Sequence, residues 1–247
     1  MAKQIEQLPS LIQTIFNRSV EEDDQDQKLP KQVKSAMMAA IQEAFAPRRV
    51  KEIVLAEMAE KLTPQDTGAL LRWFDSPVGE KCTQLEEIAA TPESQADMRQ
   101  YAARLQDSPP TAERMKLLRE LDSALKETEN AIEMAIQAQV AVTLALMATL
   151  PKEQQKPLEE VSRELERLKP ILDSTVRSQV VMQLLYTYRS LTDAEIRQYI
   201  EFAGSPTGSR FNTLVITALR KALLEGAAKW GNIIGNTIKE LNGNSEV

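Results

Sequence analysis

The stretch LTDAEIRQYIEFAGSPTGSRF at residues 191–211 has the pattern of two helices joined by a sharp corner. Thr192, with Glu195 three positions later, is typical of a capping box at a helix start. After the corner a serine can cap the next helix, a proline fits its first turn, and a glycine lets another helix come close. The residues that set this pattern are Thr192, Glu195, Phe202, Ser205, Pro206 and Gly208.

A second stretch, LTPQDTGALLRWFDSPVGEKC at residues 62–82, repeats this pattern without a gap, 129 positions earlier in the chain. The matching residues are Thr63, Asp66, Trp73, Ser76, Pro77 and Gly79. Ordered matches at one fixed spacing indicate an internal duplication. We therefore predict two related helical units, in which residues 48–90 superpose on residues 177–219.

A basic residue follows each corner, namely Lys81 in the first and Arg210 in the second. The N–H groups at the start of a helix can bind an anion, and a nearby cation would assist. Every helix start offers such N–H groups, however, and few of them bind a specific ligand. The sequence therefore favours a structural corner, with an anion contact at Lys81 or Arg210 as the alternative.

The composition predicts an all-α fold. Strong helix formers dominate, glycine is scarce with 8 residues, and aromatic residues make up only 4%. Prolines and capping signals divide the chain into about ten helices, among them helices near 4–18 and 152–168. The longest pattern covers residues 111–150 and is bent midway. The clearest break is DSPP at 107–110. We predict a multi-helix bundle with a first repeat at 1–110 and a second at 111–247, the two fused in one globule as an alternative.

The net charge and the missing residue types exclude several classes of function. A net charge of −6 argues against a nucleic-acid binder, which needs a basic face. Histidine is absent and Cys82 is the single cysteine, so the commonest general base and the usual transition-metal ligands are lacking. The acidic run at 21–27 lacks the glycine and glutamate of a calcium loop. We predict no catalytic, cofactor-binding or metal-binding residues and no cofactor.

The chain shows no candidate export signal and no convincing membrane span. Residues 1–19 contain no continuous apolar run. The most apolar stretch, 131–150, is interrupted by polar residues and is expected to be a core helix. Near the C-terminus, GAAKWGNIIG at 226–235 could dock on the body of the protein, on a second copy, or on a membrane surface.

The corner pattern resembles a bacterial domain of unknown function, the DUF family twenty-fifty-nine. The pattern is Leu-Thr, an acidic residue, a short helix with an aromatic residue, and Ser-Pro-x-Gly followed by a basic residue. The resemblance covers residues 175–240 well and 48–90 more loosely. It implies a helical fold, a bacterial source and often an exported protein, and it supplies no catalytic residues. The location it implies is an exported or periplasmic mature form; without it, the expected location is the cytoplasm.

Three classes of function remain open from the sequence. The first is a non-catalytic helical protein that binds another protein or itself. It is favoured because the sequence contains no recognisable catalytic or ligand-binding site. The second is a carrier of a small apolar or lipid-like ligand between helices, suggested by 9 methionines. The third is an enzyme restricted to carboxylates, lysines and tyrosines. Pairs such as Glu86 with Glu87 point in different directions around a helix, and a solvated helix face explains them.

Overall fold

The structure is a computed structural model that describes residues 9–10, 12–19, 31–147, 150 and 152–243. Within these residues every regular element is a helix and none is a strand. The predicted all-α fold, a multi-helix bundle, is therefore confirmed. The first part of the helix predicted near 4–18 and the acidic run at 21–27 lie outside the described residues.

The helices follow the breaks that proline and capping residues predict. We call residues 12–19 α1. The others are α2 (Lys31–Ala44), α3 (Pro47–Lys61), α4 (Pro64–Phe74), α5 (Pro77–Ala89), α6 (Pro92–Asp107), α7 (Ala112–Leu125), α8 (Glu127–Met147), a 3₁₀ turn (Lys152–Gln154), α9 (Leu158–Glu166), α10 (Lys169–Thr187), α11 (Asp193–Gly204) and α12 (Pro206–Gly243). Five of these helices begin with proline, which lacks the N–H that a helix start leaves unpaired anyway.

Two of the predicted helices differ from the structure at their ends. The long pattern at 111–150 is two helices, because Lys126 adopts a left-handed conformation with φ 55° and ends α7. The helix predicted near 152–168 is shortened to Leu158–Glu166. Pro157 stands just before it in an extended conformation, as expected for a residue that cannot continue the preceding turn.

The chain forms two compact units that interleave along the sequence. Unit 1 contains Ala56–Ile132 and Pro170–Ile216, and unit 2 contains the described residues of Ala2–Leu55, Glu133–Lys169 and Thr217–Val247. The predicted division at 110 and 111 does not follow this partition, because α6 and α7 both belong to unit 1. Both corner motifs also belong to unit 1.

The core of unit 1 is built around α7 and α11. Leucines of α7 pack against the buried stripe of α11, and residues from α5 and the end of α10 complete the cluster. Its buried members are Cys82, Leu117, Leu118, Leu121, Leu125, Leu184, Leu185, Tyr188, Leu191, Ile196, Tyr199 and Ala203. Cys82 is buried here, and burial raises the pKa of its thiol to about 12, so it remains protonated at neutral pH.

The core of unit 2 is centred on Trp230 of α12. Its ring is fully buried, it packs edge-on against Phe16 and Phe45, and its indole N–H donates to the Met37 carbonyl at 2.9 Å. At Gly226, one turn earlier, a Cβ would overlap the Phe45 ring. Helix α12 can therefore lie this close to Phe45 only because residue 226 has no side chain. The C-terminal stretch therefore docks on its own unit through Trp230.

One helix among the described residues, α8, is long and apolar enough to cross a membrane by length and composition. In its most apolar window 44% of the residues are buried inside the protein. A core helix passes the same test of length and composition, so this helix is weak evidence for a membrane span.

The different burial of Trp73 and Trp230 gives a test of how the C-terminal stretch docks on unit 2. We expect the Trp73→Phe variant, which retains only Trp230, to resist fluorescence quenching by acrylamide and to emit at shorter wavelength. The matched Trp230→Phe variant retains Trp73, which is partly exposed, and should be quenched several-fold more steeply. Equal quenching of the two variants would contradict the buried position of Trp230.

Candidate functional site

The two corners in unit 1 have the same backbone path and the same hydrogen bonds. Ser76 has φ −75° and ψ 150°, and Ser205 has φ −66° and ψ 156°. Each serine hydroxyl donates to the carbonyl three residues earlier, on Trp73 or Phe202, at 2.6 Å. Each also accepts the N–H of the glycine three residues later at 3.0 Å. One serine thus serves the end of one helix and the start of the next.

Both corner glycines are required by close contact with the preceding helix. A Cβ on Gly79 would overlap the carbonyl oxygen of Trp73, and a Cβ on Gly208 would overlap that of Phe202. In both cases the obstacle is backbone, which cannot rotate away as a side chain would. The glycine lets the new helix start directly against the last carbonyl of the old one.

Each corner is preceded by a complete capping box. The Thr63 hydroxyl accepts the Asp66 N–H at 3.1 Å, and the Asp66 carboxylate accepts the Thr63 N–H at 3.1 Å. In the second copy the corresponding distances between Thr192 and Glu195 are 3.2 and 2.7 Å. These bonds fix the first turn of α4 and of α11, and they hold one carboxylate in a defined place at each helix start.

The cation of each corner pairs with the capping carboxylate of the other corner. Lys81 Nζ lies 2.8 Å from Glu195 Oε1, and Arg210 Nη1 lies 2.7 Å from Asp66 Oδ2. These two pairs are equivalent at the spacing of 129, since Lys81 matches Arg210 and Asp66 matches Glu195. Donation by Lys81 and by Thr192 lowers the pKa of Glu195 to about 2.

The aromatic residues that precede the two corners stack on each other. The Trp73 and Phe202 rings lie 4.3 Å apart between centroids and 5° from parallel, and these two positions also match at the spacing of 129. A residue that contacts its own equivalent, flanked by two exchanged pairs, is the contact pattern of a two-fold interface between like units. Within unit 1 the two motifs thus associate as a dimer would, but in one chain.

This arrangement gives Lys81 and Arg210 a structural partner. Each cation is held by a carboxylate, and each corner glycine N–H is already bonded to a serine hydroxyl. The anion contact predicted as an alternative has no supporting feature in this geometry, because both the cation and the central N–H of each helix start are engaged.

Helix α7 covers one face of α11 and is anchored at its first turn by Arg114. This guanidinium donates to the Leu191 carbonyl at 2.9 Å and to the Tyr188 carbonyl at 2.6 Å, and it pairs with Asp193 at 2.9 Å. Both carbonyls follow the end of α10 at Thr187, near the partial negative charge of the helix C-terminus, and that of Tyr188 also accepts the Leu191 N–H at 2.9 Å. Behind the arginine, the leucines of α7 pack onto the stripe of α11; they are Leu117, Leu118 and Leu121.

The matching face in the first motif is exposed. In α11, Ile196 is 0% and Ala203 is 2% exposed; their equivalents in α4 are Thr67, which is exposed, and Phe74, which is 37% exposed. Between them Leu71 of α4 is 57% exposed. We call the exposed residues Thr67, Leu71 and Phe74 of α4 the uncovered face.

A second candidate is a polar cluster inside unit 1. Glu86 Oε1 accepts hydrogen bonds from the buried hydroxyls of Tyr188 and Tyr199, both at 2.9 Å. Burial, with the nearby Glu86 and Asp122 carboxylates, raises the pKa of the partly buried Glu127 to about 7. A carboxyl with such a pKa can exchange a proton at neutral pH. In the part of the chain that the structure describes, no group of three acidic or cysteine side chains lies close enough to hold a metal ion.

A third candidate is a shallow apolar pocket in unit 2, formed by α8, α9 and α12. Its volume is about 310 Å³. Its lining consists of three leucines, three small residues of α12 and one polar side chain. The lining residues are Leu144, Leu158, Leu224, Ala227, Ala228, Gly231 and Asn232. The methionines that suggested a carrier are not among these lining residues.

No protein-family model, curated protein or solved structure matches this chain. The likeness to the DUF family twenty-fifty-nine therefore stays a prediction, as does the origin of the two motifs in a duplication.

The sequence indicates each corner but not what the corners do together. It draws attention to Lys81 and Arg210 but not to their partners, because a contact over more than 100 positions leaves no local signal. The sequence interpretation of Glu86 as a solvated residue is wrong, since it accepts two buried tyrosine hydroxyls. The exposed Leu71 and Phe74 stand three positions apart in the sequence, and this helical spacing is the available clue to the uncovered face.

Alanine substitution at Gly208 and at Gly204 tests whether the corner glycine is required by close contact. We expect Gly208→Ala to lower the free energy of unfolding by about 1–3 kcal/mol, because the new Cβ forces the backbone at Phe202 to move. The matched control is Gly204→Ala at the end of α11, where a Cβ meets nothing within 4 Å. This change should be neutral or stabilise by up to about 1 kcal/mol. Urea unfolding that ranks the two variants the other way would contradict the proposed contact.

Glu127 gives a pH dependence with a defined sign. Its pKa is about 7 in the folded protein and near 4.5 when unfolded, so the folded state binds the proton more tightly. This contribution to stability is complete below about pH 4.5 and is lost as the pH rises to about 7. We expect the free energy of unfolding of Glu127→Gln to fall less than that of the unchanged protein over this range.

The control for this pH dependence is Glu129→Gln, a change at an exposed residue on the same helix. Its free energy of unfolding should follow that of the unchanged protein as the pH is varied. Parallel curves for the Glu127→Gln variant and the unchanged protein, measured by urea unfolding, would refute the assignment.

Proposed function

We propose that the protein acts without catalysis, as a helical binding protein, and that the uncovered face of α4 receives a protein partner. The observation that carries this proposal is the contrast between two matching surfaces. One is buried under α7, and the other exposes Leu71 and Phe74 to solvent.

The composition of the face supports protein binding. Contiguous exposed apolar residues mark interaction sites more often than scattered ones do. Phe74 packs edge-on against Phe211 and Phe202 at 5.7 and 6.4 Å, so its ring is held in place before a partner arrives. A rigid, half-exposed aromatic ring is the type of side chain that dominates the binding energy of protein interfaces. Gly68, beside Thr67, has no side chain of its own, and the flexible Arg72 guanidinium lies 3.5 Å from where a Cβ would stand.

The polar cluster offers less support for an enzyme. Tyr188 and Tyr199 are buried, and burial raises their pKa well above its ordinary value, so neither is prepared to act as a base. Glu86 accepts both hydroxyls and is thereby held within the core. The arrangement satisfies buried polar groups, which is the usual purpose of such a network.

Photo-cross-linking tests the proposal on the intact chain. Leu71 is replaced by p-benzoyl-phenylalanine, and the protein is irradiated in an extract of its source cell. We expect a discrete adduct that contains one defined protein. The matched position is Ile88 on α5, which is 53% exposed against 57% for Leu71. Adducts of equal yield from both positions, or none from position 71, would overturn the proposal.

A second candidate function is a carrier of a small apolar ligand, and the pocket of unit 2 favours it. A volume of about 310 Å³ and a mainly apolar lining lie at the small end of the range for ligand pockets. Ala228 lines the pocket and is exposed, so Ala228→Trp should fill the pocket without disturbing the core.

We expect this variant to lose any lipid-like molecule that native mass spectrometry detects on the unchanged protein. A fluorescent fatty acid should bind the unchanged protein and lose most of its affinity for the variant. If neither protein carries or binds such a molecule, the carrier function is wrong.

A further inference from the structure

The two motifs of unit 1 differ mainly in what covers them, and the covered motif shows what the other would accept. The α11 face holds α7, an amphipathic helix with leucines at 117, 118 and 121. These leucines pack in one cluster with Ile196, Tyr199 and Ala203, whose equivalents in α4 are Thr67, Leu70 and Phe74. Both motifs have the same corner and the same capping box, so α4 and α11 begin and end in the same way. Leu70 is buried like Tyr199, whereas Thr67 and Phe74 are exposed.

The polar anchor of α7 also has its counterpart beside α4. Arg114 binds the carbonyls of Tyr188 and Leu191 after the end of α10, and the equivalent carbonyls belong to Ala59 and Leu62 at the end of α3. The last carbonyls of a helix have no intrahelical donor. The end of α3 therefore presents acceptors of the kind that Arg114 uses at the end of α10.

Charge at this end of the face is negative on balance. In the last turn of α3, Lys61 pairs with Glu57 at 2.6 Å, which leaves the exposed Glu60 and the partial negative charge of the helix C-terminus. An arginine arriving here would meet the same kind of acceptors that Arg114 meets at the end of α10. The apolar residues Leu71 and Phe74 then lie further along α4, where the leucines of a bound helix would follow.

We infer that the partner of the uncovered face is an amphipathic helix of another polypeptide, with the chemistry of α7. Its signature is an arginine in the first turn and leucines three, four and seven positions later, as Arg114 precedes Leu117, Leu118 and Leu121. This inference rests on the proposed protein-binding function and specifies the partner. It commits to a helix in a groove, one of the recurring modes of peptide recognition.

The residues that differ between the faces are compatible with such a helix. Thr67 and Gly68 replace Ile196 and Arg197. The exposed, flexible side chain of Arg72 lies over Gly68, and a bound helix would displace it. Phe74 replaces Ala203, so a bound helix would contact an aromatic ring near the corner. The leucine spacing matches this surface, since residues three and four apart lie on one side of a helix.

The experiment uses a fluorescent peptide with the sequence of residues 111–126 and the full-length protein. We expect saturable binding by fluorescence anisotropy, weakened at least about tenfold by Leu71→Lys, as expected when a charge enters an apolar contact. Ile88→Lys should leave the affinity unchanged. A peptide with Arg114→Gln should bind more weakly than the unchanged peptide, because it lacks the cation for the α3 carbonyls.

Three results would overturn the inference. The first is no saturable binding. The second is binding that Leu71→Lys leaves unchanged, which would mean that the peptide replaces α7 on α11. The third is sedimentation that shows a dimer lost in Leu71→Lys, since the occupant would then be a second copy of this chain. None of these removes a cross-link from position 71, so the failure of the partner type is distinguishable from failure of the binding function.

Discussion

The stack of Trp73 on Phe202 is the contact on which the arrangement of unit 1 depends. It joins two helical motifs that stand far apart in the sequence, and it is flanked by two ion pairs that each motif exchanges with the other. Exposed ion pairs contribute little to stability by themselves. Here, however, each carboxylate is already fixed by a capping box, so less side-chain freedom is lost when the cation arrives. The pairs therefore set the register of the two motifs, while the stacked rings supply the buried apolar area.

Much of this fold could be predicted from the sequence, because helix starts are local. The caps at Thr63, Ser76, Thr192 and Ser205 need only residues within three or four positions. The end of α7 is not predicted, because the residue in the left-handed conformation is Lys126 and not the glycine or asparagine that usually marks such a helix end. The exchange of Lys81 and Arg210 could not be predicted either, since nothing near these residues identifies their partners. The two compact units also differ from the predicted division at 110, because both motifs and α7 share one unit.

The absence of histidine does not leave the interior without polar groups. Glu86, Tyr188 and Tyr199 form a network in which a single carboxylate oxygen receives two hydroxyls, and Asp122 accepts the N–H and hydroxyl of Thr128 at 2.8 Å. Unsatisfied polar groups in such places would destabilise the fold, whereas paired ones fix side chains in single positions. Asp122 links the end of α7 to the start of α8 across the break at Lys126. These polar contacts thus help to hold α7 in the position in which it covers α11.

The differences between the two motifs follow from what covers each of them. Under α7, position 196 is isoleucine and position 203 is alanine, because a buried face needs apolar contact and enough room for the covering backbone. At the matching places of α4 the chain has Thr67 and Phe74. Threonine is acceptable there because it faces water, but a large aromatic ring at an exposed place lowers solubility unless something uses it. Phe74 is used in part within unit 1, since its ring packs against Phe202 and Phe211. Selection for solubility alone would remove Leu71, which is 57% exposed, while leaving Thr67. The presence of Leu71 and Phe74 on one stripe, beside the carbonyls of a helix end, is the reason to regard this face as a binding surface rather than a solvated one.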